Sequence, residues 1–153
     1  MIEGKKKIER KRPMQGLGSL YSKTPISNKW ALVDMLHNGK LSTSDLKEFL
    51  QLSSSLGLTK KESSNYLHIN VRTLDRNLKE KFTLDNDKTE KIILLGALMK
   101  RGIDVFGSEE KFSSWIKEYN TALQKKPIDL FSSITGIELV DNLLTRIEYG
   151  VFS

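Results

Sequence analysis

The side chains suited to proton transfer near neutral pH are two histidines, His37 and His68, and they stand too far apart for a His-x-x-x-His metal motif. There is no cysteine, so neither a disulfide framework nor a thiolate zinc site can form. Each histidine is read as a capping or packing residue, His37 at a helix end near Asn38-Gly39 and His68 in a turn. Gly16-Leu17-Gly18 begins like a phosphate loop, but position 21 is Tyr21 and no strand precedes it. Glu109-Glu110 suits the first turn of a helix, where carboxylates meet the positive end of the dipole, better than an acid–base pair. Trp115 and its aromatic neighbours read as core. The expectation is a protein that is not an enzyme and holds no cofactor and no metal.

What remains is binding chemistry. Arg72, Thr73, Arg76 and Lys79 are polar donors on one short segment. Arginine can fork onto guanine in a major groove, while lysine and threonine more often hold phosphate. Such residues must be presented by a helix anchored through its other side. Val71, Leu74 and Leu78 supply that anchor, with Asn70 placed as the N-cap. Upstream, Thr59-Lys60-Lys61-Glu62 is a capping box. The short helix it opens runs to about Leu67, and the three-residue turn His68-Ile69-Asn70 follows. This is helix-turn-helix spacing, with Ser64 small enough to sit where the helices cross. The alternative is a structural helical hairpin with a solvated basic face.

The rest of the chain also reads as helices. Ser27 can cap one through Trp30, Leu32, Val33 and Leu36, closed at Asn38-Gly39. Ser42-Thr43-Ser44-Asp45 opens another, with Leu46, Phe49 and Leu50 on one face and Gly57 at its end. A long helix is predicted from Asp87 and Glu90 to near Gly107. Ser108 opens the next, with Phe112, Trp115, Ile116 and Tyr119 as its apolar face. Pro127 suits the first turn of a short helix containing Ile128, Leu130 and Phe131. A last helix is expected to follow Gly136, with Val140, Leu143, Leu144 and Ile147 at i, i+3, i+4 and i+7, and to break at Gly150. The predicted fold class is all-α.

Charge divides the chain unevenly. Its 153 residues carry a formal +6. Residues 1–12 hold +4 and residues 53–83 hold +3, whereas residues 84–153 hold −2. A basic block beside an acidic one suggests two tasks, one of them with nucleic acid. The tail reads equally as a solvated end or a phosphate-contacting arm. The longest apolar run, Ile92 to Met99, is far short of the roughly 20 residues that span a bilayer. No apolar stretch follows the basic N-terminus as a signal peptide requires. The expected location is the cytoplasm, with no membrane partner. The expected organisation is a basic arm at 1–25, a helix-turn-helix domain at 26–84 and a second helical domain at 85–153.

The C-terminal half resembles the toxin-binding domain of Xre/MbcA/ParS antitoxins. The matching residues are Val105-Phe106-Gly107-Ser108, Glu110-Lys111, Trp115-Ile116, Asn120, Ala122-Leu123 and Pro127-Ile128-Asp129-Leu130. They continue through Thr135-Gly136, Val140 and Leu143-Leu144 to Arg146-Ile147-Glu148-Tyr149-Gly150-Val151. The N-terminal half is similar to the family's Xre-type helix-turn-helix at Gly39, Leu56-Gly57-Leu58, Arg72-Thr73-Leu74 and Arg76. The resemblance covers roughly residues 30 to 152 in the expected order. The chain departs from it at Tyr119, where the family often has proline, at Gln124-Lys125, where it often has paired glycines, and in a loop to Pro127 one residue shorter.

The resemblance implies the antitoxin half of a type II toxin–antitoxin pair. It implies a RES-fold toxin that consumes NAD⁺, blocked at its NAD⁺ pocket by the antitoxin's C-terminal region. It also implies a homodimer that represses its own operon by binding operator DNA. The toxin-binding residues it points to are Arg146, Tyr149, Gly150 and Val151. Arg146 could fork onto a carboxylate, Tyr149 could fill an aromatic slot, and Gly150 would free the last residues to turn. From spacing alone the same residues are an ordinary helix end. The alternative function is a plain helix-turn-helix regulator whose C-terminal domain only dimerises.

Overall fold

A computed structural model describes residues 41–150, together with Val33, Asp34 and His37 of a preceding helical segment. The predicted Ser27 cap, the closure at Asn38-Gly39, the Gly16-Leu17-Gly18 loop, the basic arm and Val151 lie outside the described residues. Six complete helices and one 3₁₀ turn follow in order: α1 (Thr43–Ser55), α2 (Lys60–Tyr66), α3 (Val71–Lys79), α4 (Asn86–Phe106), α5 (Glu109–Ile116), the 3₁₀ turn (Pro127–Leu130) and α6 (Ile134–Glu148). The all-α prediction holds, and the only strand-like pairing among the described residues is one bridge between Asn120 and Lys125.

Local sequence sets the helix starts. Ser42 and Asp45 form a capping box for α1, and Thr59 and Glu62 form one for α2. Hydrogen bonds from the two Thr59 donors hold the Glu62 carboxyl below its ordinary pKa. Asn70 caps α3 by accepting the Thr73 amide at 2.7 Å, and Ser108 caps α5. The helix ends are equally local. Gly57, at φ +79, closes α1 as the Leu58 and Gly57 amides donate to the Ser53 and Ser54 carbonyls. The turn after α2 repeats this bonding with His68 at φ +57 in the glycine position. A left-handed non-glycine costs roughly 1–2 kcal/mol. A contact from outside the turn holds it: His68 Nε2–H donates to the Ser132 carbonyl at 2.9 Å.

α4 is the axis of the molecule. Residues 91–99 are all buried, so the helix has no solvent face over more than two turns. α1, α5 and α6 pack around it, and α2 and α3 are held in turn by α1. Phe106, Phe112 and Trp115 cluster where α4 meets α5, with ring centroids 5.2 to 6.0 Å apart. Gly102 makes this approach possible, because a β-carbon there would collide with the Phe112 ring.

Three helix expectations are corrected. Tyr119 lies beyond the end of α5 and is 64% exposed, so it is not part of that helix's apolar face. The Pro127 helix is a 3₁₀ turn. Gly136 does not precede α6 but lies in its first turn, its amide donating to the Ser133 cap. It is buried against the 3₁₀ turn, and a β-carbon on it would strike the Leu130 carbonyl oxygen.

α6 is fastened to α4 by one guanidinium. Arg101 donates to the Asp141 carboxylate at 2.5 Å, to Thr145 Oγ1 at 2.9 Å and to the Glu148 carboxylate at 2.9 Å. The Asp141 side chain is 5% exposed. Burial pushes its carboxyl above the ordinary range, with Arg101 pulling the other way.

Gly136→Ala is expected to destabilise the fold by at least ~2 kcal/mol, since neighbouring backbone rather than a flexible side chain must give way. The midpoint of urea denaturation checks this. Arg101→Ala leaves the buried Asp141 carboxylate without its counterion and is expected to cost ~3–5 kcal/mol at neutral pH. A folded-state carboxyl pKa raised above the unfolded value of about 4 disfavours the fold increasingly as pH rises through it. The deficit of Arg101→Ala is therefore expected to shrink as the urea titration is moved from pH 7 towards pH 4.

Candidate functional site

Two surfaces carry the residues singled out by sequence, and they lie on different elements. The first is α3. Arg72, Arg76 and Lys79 are exposed, and their spacing of four and three residues places them on one stripe. Thr73 is half-buried and adjoins the cap, its amide held by Asn70. The opposite face is anchored by Leu74, which is buried, and by Leu78, which is half-buried. Val71 is also only half-buried, less than its place in the pattern predicts. On α2, Ser63 and Ser64 are both buried, the Ser64 hydroxyl donating to the Lys61 carbonyl at 2.8 Å.

Sequence reading missed Asn77. It is fully buried on the anchoring face. Its Nδ2 donates to the Thr73 carbonyl at 2.9 Å, and its Oδ1 accepts the Thr83 amide at 2.6 Å. Its own carbonyl accepts the Thr43 hydroxyl. One amide side chain thus ties α3 to the segment after it, while its backbone ties α3 to the start of α1. The available signal was position: Asn77 lies three residues after Leu74, on the apolar side, where a polar residue must be fully hydrogen-bonded.

Beside the basic stripe stand two acidic residues, the exposed Glu80 at its end and, within it, Asp75. Lys60 of α2 meets its carboxylate at 2.8 Å, with both side chains well exposed. Such a pair adds little stability, but it offsets the negative charge that would otherwise face an approaching phosphate. Lys61 is also exposed, at the start of α2.

The second surface is the outer face and end of α6. Arg146 is half-buried in the last turn. Tyr149 is 74% exposed, and Gly150 adopts φ +70. Leu139, 49% exposed, was not anticipated. It stands one position before the buried Val140 and one turn before Leu143, which is buried, so it is an isolated exposed apolar residue on the outer side of α6.

The departures in the 119–126 region leave a closed loop. The Asn120 side chain accepts the Ala122 and Leu123 amides, and its backbone amide donates to Lys125. Gln124 takes φ +57, the left-handed region that favours glycine.

Neither histidine stands in a catalytic arrangement: His37 bonds the Val33 carbonyl one turn back, and His68 bonds Ser132. Glu109 and Glu110 sit in the first turn of α5 as expected. Among the described residues, no group of three or more His, Asp and Glu could hold a metal ion, and no helix is long and apolar enough to cross a membrane.

Comparison with known proteins connects both surfaces to one architecture. Residues 31–96 match the antitoxin Xre-like helix-turn-helix domain, which contains the α3 stripe. Residues 101–150 match the antitoxin Xre/MbcA/ParS C-terminal toxin-binding domain, which contains α6. A protein of Sphingobium sp. (strain YBL2) named Prs ADP-ribosylating antitoxin is 24% identical over 159 residues, covering 93% of this chain and 95% of its own length. The two matched segments follow one another in order across about three quarters of the chain, which belongs to the Xre/MbcA/ParS antitoxin family, with a helix-turn-helix domain for DNA and a C-terminal domain for toxin.

Proposed function

We propose that this antitoxin neutralises a RES-fold, NAD⁺-consuming toxin by occluding its NAD⁺ pocket, and that as a cytoplasmic homodimer it represses its own operon. In this reading it is an inhibitor and not an enzyme. The relative's name couples an antitoxin of this length to ADP-ribosylation, a reaction whose usual donor is NAD⁺. The observation that carries the reading is the end of α6, where a largely exposed tyrosine precedes a left-handed glycine. An exposed aromatic with two rotatable torsions is an inexpensive anchor for a flat pocket built to hold a planar base. Arg146, one turn before it, suits a carboxylate of the toxin. Gly150 lets Val151 turn away from the helix axis into the same pocket.

For DNA, Arg72, Arg76 and Lys79 supply the groove-facing stripe, and Thr73 stands at the amino end of α3, where recognition helices meet base edges. A two-fold dimer would set two such helices about 34 Å apart on a near-palindromic operator. The proposed division of labour is a basic arm at 1–25, DNA reading at 26–84 and toxin binding at 85–153.

Removing residues 149–153 leaves α6 complete and deletes Tyr149, Gly150 and Val151. Inhibition of the toxin's NAD⁺ consumption is expected to weaken by at least about 30-fold, the scale of one interface hot spot, with operator affinity unchanged. A truncated protein that still inhibits fully would refute pocket occlusion and favour a C-terminal domain used for dimerisation. The double variant Arg72→Ala/Arg76→Ala is expected to do the reverse. Each arginine should cost ~1–3 kcal/mol of operator binding if it reads a base, or lower the salt slope by about one if it holds phosphate. Fluorescence anisotropy on operator DNA across a salt series distinguishes the two.

A further inference from the structure

Arg101 does more than tie α6 to α4. Its three partners descend α6 turn by turn: Asp141, then Thr145, then Glu148. The inner contact, to the buried Asp141, belongs to the core. The outer contacts reach the last turn, where burial falls away: Thr145, Arg146 and Ile147 are half-buried, the Glu148 side chain is 43% exposed and Tyr149 beyond it is 74% exposed. Packing therefore holds this turn less firmly than the turns before it. Beyond the helix's own bonds, the turn closes through the Tyr149 amide on Thr145 at 3.1 Å and the Gly150 amide on Ile147 at 3.1 Å, and helix ends tend to fray.

Glu148 is also the wrong charge for its place. A carboxylate at a helix C-terminus faces the negative end of the dipole. Local helix physics gives no reason for it; the Arg101 guanidinium 2.9 Å away does.

We propose that Arg101 and Glu148 are positioning residues for toxin binding: the Arg101 clamp on Thr145 and Glu148 keeps the last turn of α6 wound, so that Arg146 and Tyr149 meet the toxin already in place. This rests on the proposal that the end of α6 engages a toxin. The contribution is preorganisation, because a frayed turn must be ordered at the moment of binding.

The test uses the full-length protein and Glu148→Ala, which removes the clamp's outer end at an exposed position and leaves the Arg101–Asp141 pair intact. Amide hydrogen exchange at residues 147–150 of the free antitoxin is expected to speed up about tenfold. Affinity for the purified toxin encoded by the adjacent gene is expected to fall about three- to tenfold. Melting temperature and operator affinity should not change. Glu148→Gln, which keeps an acceptor for Arg101, is expected to recover part of both losses. Unchanged exchange in Glu148→Ala overturns the proposal even if affinity falls, since Glu148 would then be touching the toxin itself. Faster exchange with unchanged affinity overturns it as well. Tyr149→Ala run in parallel separates the two levels: if that variant binds toxin like the parent, the underlying assignment of the α6 end is what has failed.

Discussion

The structure depends on burying α4 from all sides. From Lys91 to Met99 no residue of this helix reaches solvent, and each large apolar side chain withdrawn from water contributes ~1.5–3 kcal/mol. A single neighbour can cover only one stripe of a helix, so α1, α5 and α6 are all required. The consequence is that the DNA-reading and toxin-binding portions share one core. The helix-turn-helix match ends at residue 96 and the toxin-binding match begins at residue 101, both inside α4. The two matched domains therefore have one interior in common.

A second junction reinforces the first. The Ser132 carbonyl, just before the α6 cap, accepts both His68 of the helix-turn-helix turn and Lys91 of α4, the latter at 2.6 Å. Burial pushes the Lys91 ammonium below its ordinary pKa, and this carbonyl is what its charged form is given in place of water. Alongside, Tyr66 at the end of α2 meets Phe131 edge to face at 5.7 Å, and burial lifts the tyrosine's pKa to about 12. The left-handed turn that sets the angle between α2 and α3 thus rests on a peptide of the toxin-binding portion.

How much of this could be read from sequence follows from the range of the interactions. The Thr59 capping box, the Asn70 and Ser108 caps, the helix-turn-helix spacing and the helix ends at Gly57, Gly107 and Gly150 are fixed by neighbours a few positions away, and they were legible. What escaped depends on distant partners. Arg101, just past the apolar run, carries no local sign of its partners, because they lie forty and more residues on. Gly136 looked like a breaker, because the Leu130 carbonyl that excludes a side chain there arrives only with the fold. His68 gave no left-handed signal, since the bond that holds it comes from Ser132. The apolar pattern of α3 omitted Asn77, whose hydrogen bonds to Thr73 and Thr83 let a polar side chain be buried. Of the candidate surfaces, the exposed stripe of α3 and the exposed end of α6 could be picked out from sequence. Sequence had no means of finding Leu139, which is distinguished from the buried Val140 beside it only by which way α6 faces α4.

The two surfaces also differ in what holds their residues still. On α3, the basic stripe is backed by Leu74 and Asn77, so its long side chains project from a helix anchored along its length. Charge does most of the work on such a surface, and a flexible arginine on a fixed helix suits a partner that is a regular array of phosphates. At the end of α6 the charges are mixed, Arg146 beside Glu148, and the apolar backing is thinner. If Tyr149 is the toxin anchor proposed above, it has to be placed by the helix that carries it, and Arg101, rooted in α4, bonds that helix at Thr145 and Glu148. The buried helix that joins the two surfaces in the core is therefore also the element that aims the second of them.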